Sequence, residues 1–167
     1  MILDQAKTCG FAVFDDNKLI DYGTLELGRQ KDLYEDILFF AQRKIENLID
    51  KSKADIIILE DIQQQNGNVS TYKKLALLMG SLICLFQKKE LLYQIVPATR
   101  WKSFCGIRSK KRIAQKPETI RFVEDKFGLT EVTSDMADAI AMGHYAVNNI
   151  KIEEGCDMHN GSIQNYN

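Results

Sequence analysis

The chain has 167 residues, 45% of them apolar and 27% charged, with a formal net charge of −1. This is enough for one domain with one hydrophobic core, and the composition excludes wholesale disorder. The longest strongly apolar stretch without a charge, Leu75 to Phe86, is too short to cross a bilayer, so a soluble protein with no membrane partner is expected.

The chain opens with "MILD" running into "KTCGFAVFDDNKLIDYGTLEL". Apolar runs broken by Asp-Asn and Tyr-Gly turn signals predict an antiparallel meander of strands. From 31 to 52, Leu33, Ile37, Phe40, Ala41, Ile45, Leu48 and Ile49 recur at helical spacing among charged residues, which predicts an amphipathic helix. "DIIILED" has too few apolar residues for a helix and predicts a buried parallel strand. A helix over 70–89 follows, then a buried strand in "LLYQIVP" closed by Pro97, then helices over 117–127 and 134–149. Hairpins feeding a β-α-β-α-β series imply an α/β fold, a mixed sheet with helices on its faces, over 1–150. The polar, aperiodic 151–167 reads as a mobile tail. Cys9, Cys84, Cys105 and Cys156 are scattered, with no C-x-x-C pair and no signal peptide ahead of them. Reduced thiols and a cytoplasmic location are expected.

Carboxylates stand out at three places. In "SDMADAIAMGHY", Asp135 and Asp138 lie three apart on a helix, so they project from neighbouring turns of one face. Acids favour a helix N-terminus, and Thr133 or Ser134 offers an N-cap, which would explain them without chemistry. Yet Asp138 shares a stripe with Met142 and Tyr145, and Ala137, Ala139, Ala141 and Gly143 suit close approach to a sheet. Glu60 ends "IIILED", and the carboxyl ends of strands in open α/β sheets are where ligand chemistry gathers. Asp4, after Ile2-Leu3, either ends a strand or joins such a site.

In that order and spacing, "LDQAKTCGFAVF", "IIILED" and "SDMADAIAMGHY" resemble the RuvC branch of the RNase H-like nucleases. The resemblance covers about residues 1–149 and implies a mixed five-stranded sheet with antiparallel first hairpins and helices on both faces. It implies that Asp4, Glu60, Asp135 and Asp138 are catalytic carboxylates holding two Mg²⁺ ions, with Mn²⁺ as a substitute. Asp4 would bridge the ions, Glu60 would hold one, and the Asp135/Asp138 pair would surround the other. Two cations about 3.5–4 Å apart activate a water on one side of a phosphodiester and stabilise the leaving oxygen on the other. Oxygen ligands and the lack of a Cys/His cluster argue against zinc. The family's D-P-G is Asp4-Gln5-Ala6 here, Cys9 separates Thr8 from Gly10, and little sequence precedes Asp4. These departures suggest a divergent, phage-type member acting in a bacterial host cytoplasm. His144, two turns beyond Asp135, reads as a core or supporting residue.

Between Ala98 and Lys116 stand Arg100, Lys102, Arg108, Lys110, Lys111, Arg112 and Lys116 with no acid, leaving the rest of the chain at −8. Basic runs are usually solvated surface. With Trp101 and Phe104 interleaved, this one suits phosphates and unpaired bases. By resemblance it grips DNA, with Lys102, Lys110 and Lys111 foremost. The loop residues Gln63 to Asn66, and Tyr72, would probe the junction centre. From Leu75 to Phe86 only Gly80 and Ser81 interrupt the apolar residues, so this helix is buried on more than one side, in a core or an interface. The resemblance implies a homodimer interface, with Leu75, Leu78, Met79, Leu82 and Phe86 in it.

The expected activity is a Mg²⁺-dependent endodeoxyribonuclease of the crossover-junction type. As a homodimer it would nick four-way junctions or related branched DNA symmetrically. The alternatives are an RNase H-like nuclease acting on RNA or other structured nucleic acid, and a branched-DNA-binding protein without catalysis. An ATPase of the actin and sugar-kinase type shares the first hairpin but needs two such domains and glycine-rich phosphate loops.

Overall fold

The computed structural model describes residues 1–28, 34–64 and 68–151, with Tyr34, Glu35 and Arg112 described by backbone alone. The expected tail beyond 151, Cys156 within it, and Gln65 and Asn66 of the loop lie outside the described residues. Five strands, β1 (Ile2–Asp4), β2 (Thr8–Asp15), β3 (Lys18–Glu26), β4 (Ile56–Glu60) and β5 (Leu92–Val96), form one sheet in the order β3-β2-β1-β4-β5. β1 pairs antiparallel with β2, and β2 with β3. β1 with β4, and β4 with β5, are parallel. The α/β fold with a mixed sheet is therefore the one the sequence pattern predicts, and its five strands are those the resemblance implies.

The Asp16-Asn17 signal is the turn between β2 and β3. Tyr22-Gly23 is not a turn. β3 runs straight through it, and Gly23 sits directly opposite Phe11, whose ring occupies the space a Cβ at 23 would need. The glycine makes room across the strands instead of bending the chain.

Helices cover both faces, and strand alternation sorts the residues between them. On one face Leu3, Cys9, Phe11, Val13, Ile57 and Leu59 pack with α1 (Tyr34–Ser52) and α2 (Val69–Lys88). On the other, Ile2, Ala12, Ile58 and Val96 pack with α3 (Ala98–Phe104), α4 (Arg112–Phe127) and α5 (Ser134–Asn149). Helix α3, seven residues long, is absent from the sequence prediction because it is too short for apolar periodicity to register. Helix α4 begins five residues before the predicted start, because Pro117 lies inside it rather than at its first turn.

Helix α2 has the length and hydropathy of a membrane span, yet it packs along the sheet. Leu78, Met79, Leu82, Leu85 and Phe86 are buried in the protomer's own core. Four of the residues expected at a dimer interface are thus unavailable to one, and Leu75, the fifth, is half-buried in the wall of an acidic cleft. The outward side of α2 instead carries Val69, Leu77, Gly80 and Cys84. Cys9, Cys84 and Cys105 are free thiols, and burial pushes Cys105 up to about 12.

Candidate active site

The sheet register builds the centre of the site. Ile2 pairs with Ile58 and Leu3 with Leu59, so Asp4 and Glu60 end two adjacent parallel strands side by side. Strand alternation puts both on the face of Ile2 and Ile58, the side covered by α3–α5. Helix α5 lies against β1 and β2 with Ala137, Ala139, Ala141 and Gly143 all buried, as their small size predicts. Its first turn approaches so closely that a Cβ at Gly10 would overlap the backbone carbonyl of Asp135. Thr133 caps the helix, its hydroxyl accepting from the Met136 N–H at 3.3 Å. That docking brings Asp138 to the wall of a cleft of about 260 Å³ shared with Asp4, Glu60 and Asp61.

Electrostatics ties the four expected carboxylates together. Burial pushes the Asp4 carboxyl well above the usual range, and the charges of Glu60, Asp138 and Asp135 push it further, with Lys102 opposing. Asp138 is raised chiefly by burial. Lys102, a hydrogen bond from Thr119 and Lys116 draw it back, and Asp135 adds to the rise. Asp135, in the first turn, lies within 3.4 Å of the Ser134 hydroxyl.

The carboxylate of Glu60 accepts a hydrogen bond at 3.0 Å from the indole N–H of Trp101. Gln5 donates its side-chain N–H to the Glu60 backbone carbonyl, and its own Oε1 is buried with no partner among the described residues. Among the described residues no three acidic side chains are already closed around a common point. The donor chemistry nevertheless fits a hard divalent cation: only carboxylate oxygens, mutual repulsion that a cation would relieve, and an orphaned amide oxygen on the same cleft wall that a coordinated water could satisfy.

The basic segment splits into two groups. Lys102 and Lys110 line the cleft together with Lys116, whose ammonium donates to the Ser134 hydroxyl at 3.3 Å. Lys111, Arg108 and Arg100 are exposed outside it, and Arg112 is described only as the first residue of α4. Glu118 accepts from the backbone N–H groups of Arg108 and Ser109 at 3.1 Å each, pinning the loop that presents Lys110. Gln63 is exposed at the cleft edge, and Tyr72 is half-buried at the start of α2. Trp101 is 0% exposed, so the reading of it as a surface for bases is corrected: the indole belongs to the core. Phe104 packs against His144 and Tyr145. His144 joins Phe122 and Phe127 in the same aromatic cluster and is not among the residues lining the cleft, with its pKa lowered by burial and then by Lys126.

No protein-family profile and no curated protein sequence matches this chain. Solved structures do. Thermus thermophilus RuvC in complex with a Holliday junction substrate superimposes with a TM-score of 0.69 over 86% of this chain and 90% of that one, at 13% identity. The chain has a RuvC-type fold. A second Thermus thermophilus RuvC structure gives a TM-score of 0.65 at 13% identity, covering 86% and 91% of the two chains. The yeast mitochondrial Holliday junction resolvase Ydc2 gives 0.56 at 14%, covering 87% and 77%.

Gln5, Trp101, Thr119 and Lys116 take part in the site without having been singled out for these roles in the sequence. Gln5 and Lys116 carried weak signals, one adjoining Asp4 and the other ending the basic run. Trp101 carried a signal for a different role, contact with bases, and Thr119 carried none, because their place follows from how α3 and α4 pack.

Proposed function

We propose that the chain is a divalent-metal-dependent endonuclease that cuts branched DNA, four-way junctions above all, as a homodimer. The observation that carries this reading is the convergence of Asp4, Glu60 and Asp138 with Lys102, Lys110 and Lys116 in one cleft of a RuvC-type fold. Asp4, Glu60, Asp138 and Asp135 would hold the cations, Mg²⁺ or Mn²⁺. Bound there, the cations would supply an activated water and stabilise the leaving oxygen.

The protein's own residues do the rest. Lysines at the cleft wall draw in the phosphate backbone and offset the carboxylates that would repel it. Glu118 holds the loop carrying Lys110, so that cation is presented at a fixed place instead of being averaged over a mobile loop. Exposed Lys111, Arg108 and Arg100 extend the positive surface outward along a substrate longer than the cleft.

Support for a dimer comes from apolar residues left outside the core. Phe39 and Leu77 are each 57% exposed on α1 and α2, with Phe40 and Val69 also exposed. Gln42 of α1 donates to the Ser81 carbonyl of α2 at 2.9 Å, and Phe39 and Leu77 each lie about one turn before that contact. A two-fold pairing would bury such a surface and present two equivalent sites to a roughly two-fold junction.

The test is cleavage of a four-way junction, a fork and a linear duplex, with Mg²⁺, Mn²⁺, Ca²⁺ or chelator, alongside sedimentation. Metal-dependent paired nicks in the junction by a dimer are expected. Binding of the junction without cleavage in any metal would instead identify a branched-DNA-binding protein.

A further inference from the structure

We infer that Trp101 is a positioning residue that holds the Glu60 carboxylate in orientation for a cation, an inference resting on the metal-dependent reading of the site. The indole N–H donates to Glu60 Oε1 at 3.0 Å, from a side chain that is 0% exposed and belongs to the same core cluster as Ile58, Val96 and Ala139. A buried indole N–H needs a partner, and a backbone carbonyl would satisfy it as well as a carboxylate does. Here the partner is the side chain that ends β4 beside Asp4.

A glutamate has three side-chain torsions to fix before it can present a chosen oxygen to a cation. One rigid donor on Oε1 restricts those torsions. Trp101 is itself held. It sits in the middle of α3, and the Lys102 ammonium lies 5.0 Å from the centre of its ring while reaching Gln115 Oε1 at 3.2 Å. The indole thus meets a carboxylate at its edge and a cation over its face, two contacts suited to its dipole and its ring quadrupole.

Trp101 is also the single tryptophan of the chain, so tryptophan emission reports on the surroundings of this one indole. The experiment is a calorimetric titration of the full chain with Mn²⁺ and, separately, with Ca²⁺, tryptophan emission being read in parallel with Ca²⁺. In the wild type the emission change should be half complete at the calorimetric midpoint obtained with Ca²⁺. Trp101→Phe keeps an aromatic ring and removes the donor. Its Mn²⁺ midpoint should rise by roughly tenfold or more, and the shift in melting temperature produced by a fixed Mn²⁺ concentration should shrink. A tryptophan that only fills space would lower the melting temperature equally with and without metal and leave the midpoint alone, which would overturn the inference. Should Trp101→Phe not fold, the wild-type emission decides: a calorimetric transition that leaves the indole unchanged is equally fatal. Wild-type protein that binds no metal at all would bring down the proposed function, and this inference with it.

Discussion

The two faces of the sheet use the same strands for opposite ends. Toward α1 and α2, Leu3, Ile57 and Leu59 are buried among aliphatic and aromatic side chains, and among the described residues no carboxylate is fully buried there. Toward α3–α5, the alternate residues begin apolar at Ile2 and Ile58 and end in Asp4 and Glu60, where like charges crowd together. One face stores stability and the other gives some up, because carboxylates buried near one another repel.

The largest effect should come from removing charge on the second face. Asp4→Asn, Glu60→Gln and Asp138→Asn keep shape and should each reduce junction cleavage by about three orders of magnitude. Folding, followed by circular dichroism, should be nearly intact, and metal-free junction binding unchanged or slightly tighter. Cleavage surviving in all three variants would dissolve the contrast between the faces.

Next comes the first face. Leu59→Ala should cost about 2–5 kcal/mol in denaturant unfolding, because it opens a cavity where the side chain is wholly buried. The same comparison separates core from surface along α2. Leu78→Asp should unfold the protein, whereas Leu77→Asp should leave it folded and split a dimer, as read by sedimentation. A Leu77→Asp protein that stays dimeric would move the interface elsewhere.

A smaller effect is expected from the cations around the cleft. Lys110→Ala and Lys111→Ala should each lower the salt slope of junction binding by roughly 1 unit. Of the two, Lys110→Ala should also slow cleavage, since Lys110 lines the cleft and Lys111 does not. Equal effects on cleavage would erase that distinction.

The smallest effect concerns pH without metal. Asp4 and Asp138 have raised pKa values in the folded chain, so it binds protons more readily there than the unfolded chain does. The stability this gives is fully present below the ordinary carboxylate range and is lost as pH rises through the raised values. The Met1 amino group, lowered to about 6 by burial, works in the other direction between there and its ordinary value of 8.0. The clean measure is therefore the melting temperature of Asp4→Asn minus that of the wild type, in chelator. It should grow from pH 4 to pH 8, and saturating Mg²⁺ should reverse its sign. A difference flat with pH would mean that the carboxylates do not repel.

Much of this was legible in the chain itself. Apolar periodicity located α1, α2 and α5 to within a few residues, short β-branched runs located β4 and β5, and the small residues of "ADAIAMG" foretold the close docking of α5. Asp4, Glu60 and the Asp135/Asp138 pair were readable as candidates because each sits at the end of a regular element, where local pattern marks it. Local periodicity and spacing determine those things, since they depend only on neighbours along the chain. The tertiary structure alone decided that Leu78, Met79, Leu82 and Phe86 face the protomer's core while Leu77 faces out, because an almost wholly apolar helix carries no polar stripe to mark its buried side. It alone decided that Trp101 turns inward to Glu60 instead of outward to nucleic acid, and which lysines of the basic run reach the carboxylates. Those outcomes depend on how short helices pack across a sheet, between residues 41 positions apart for Trp101 and Glu60. No pattern confined to one segment records such a contact.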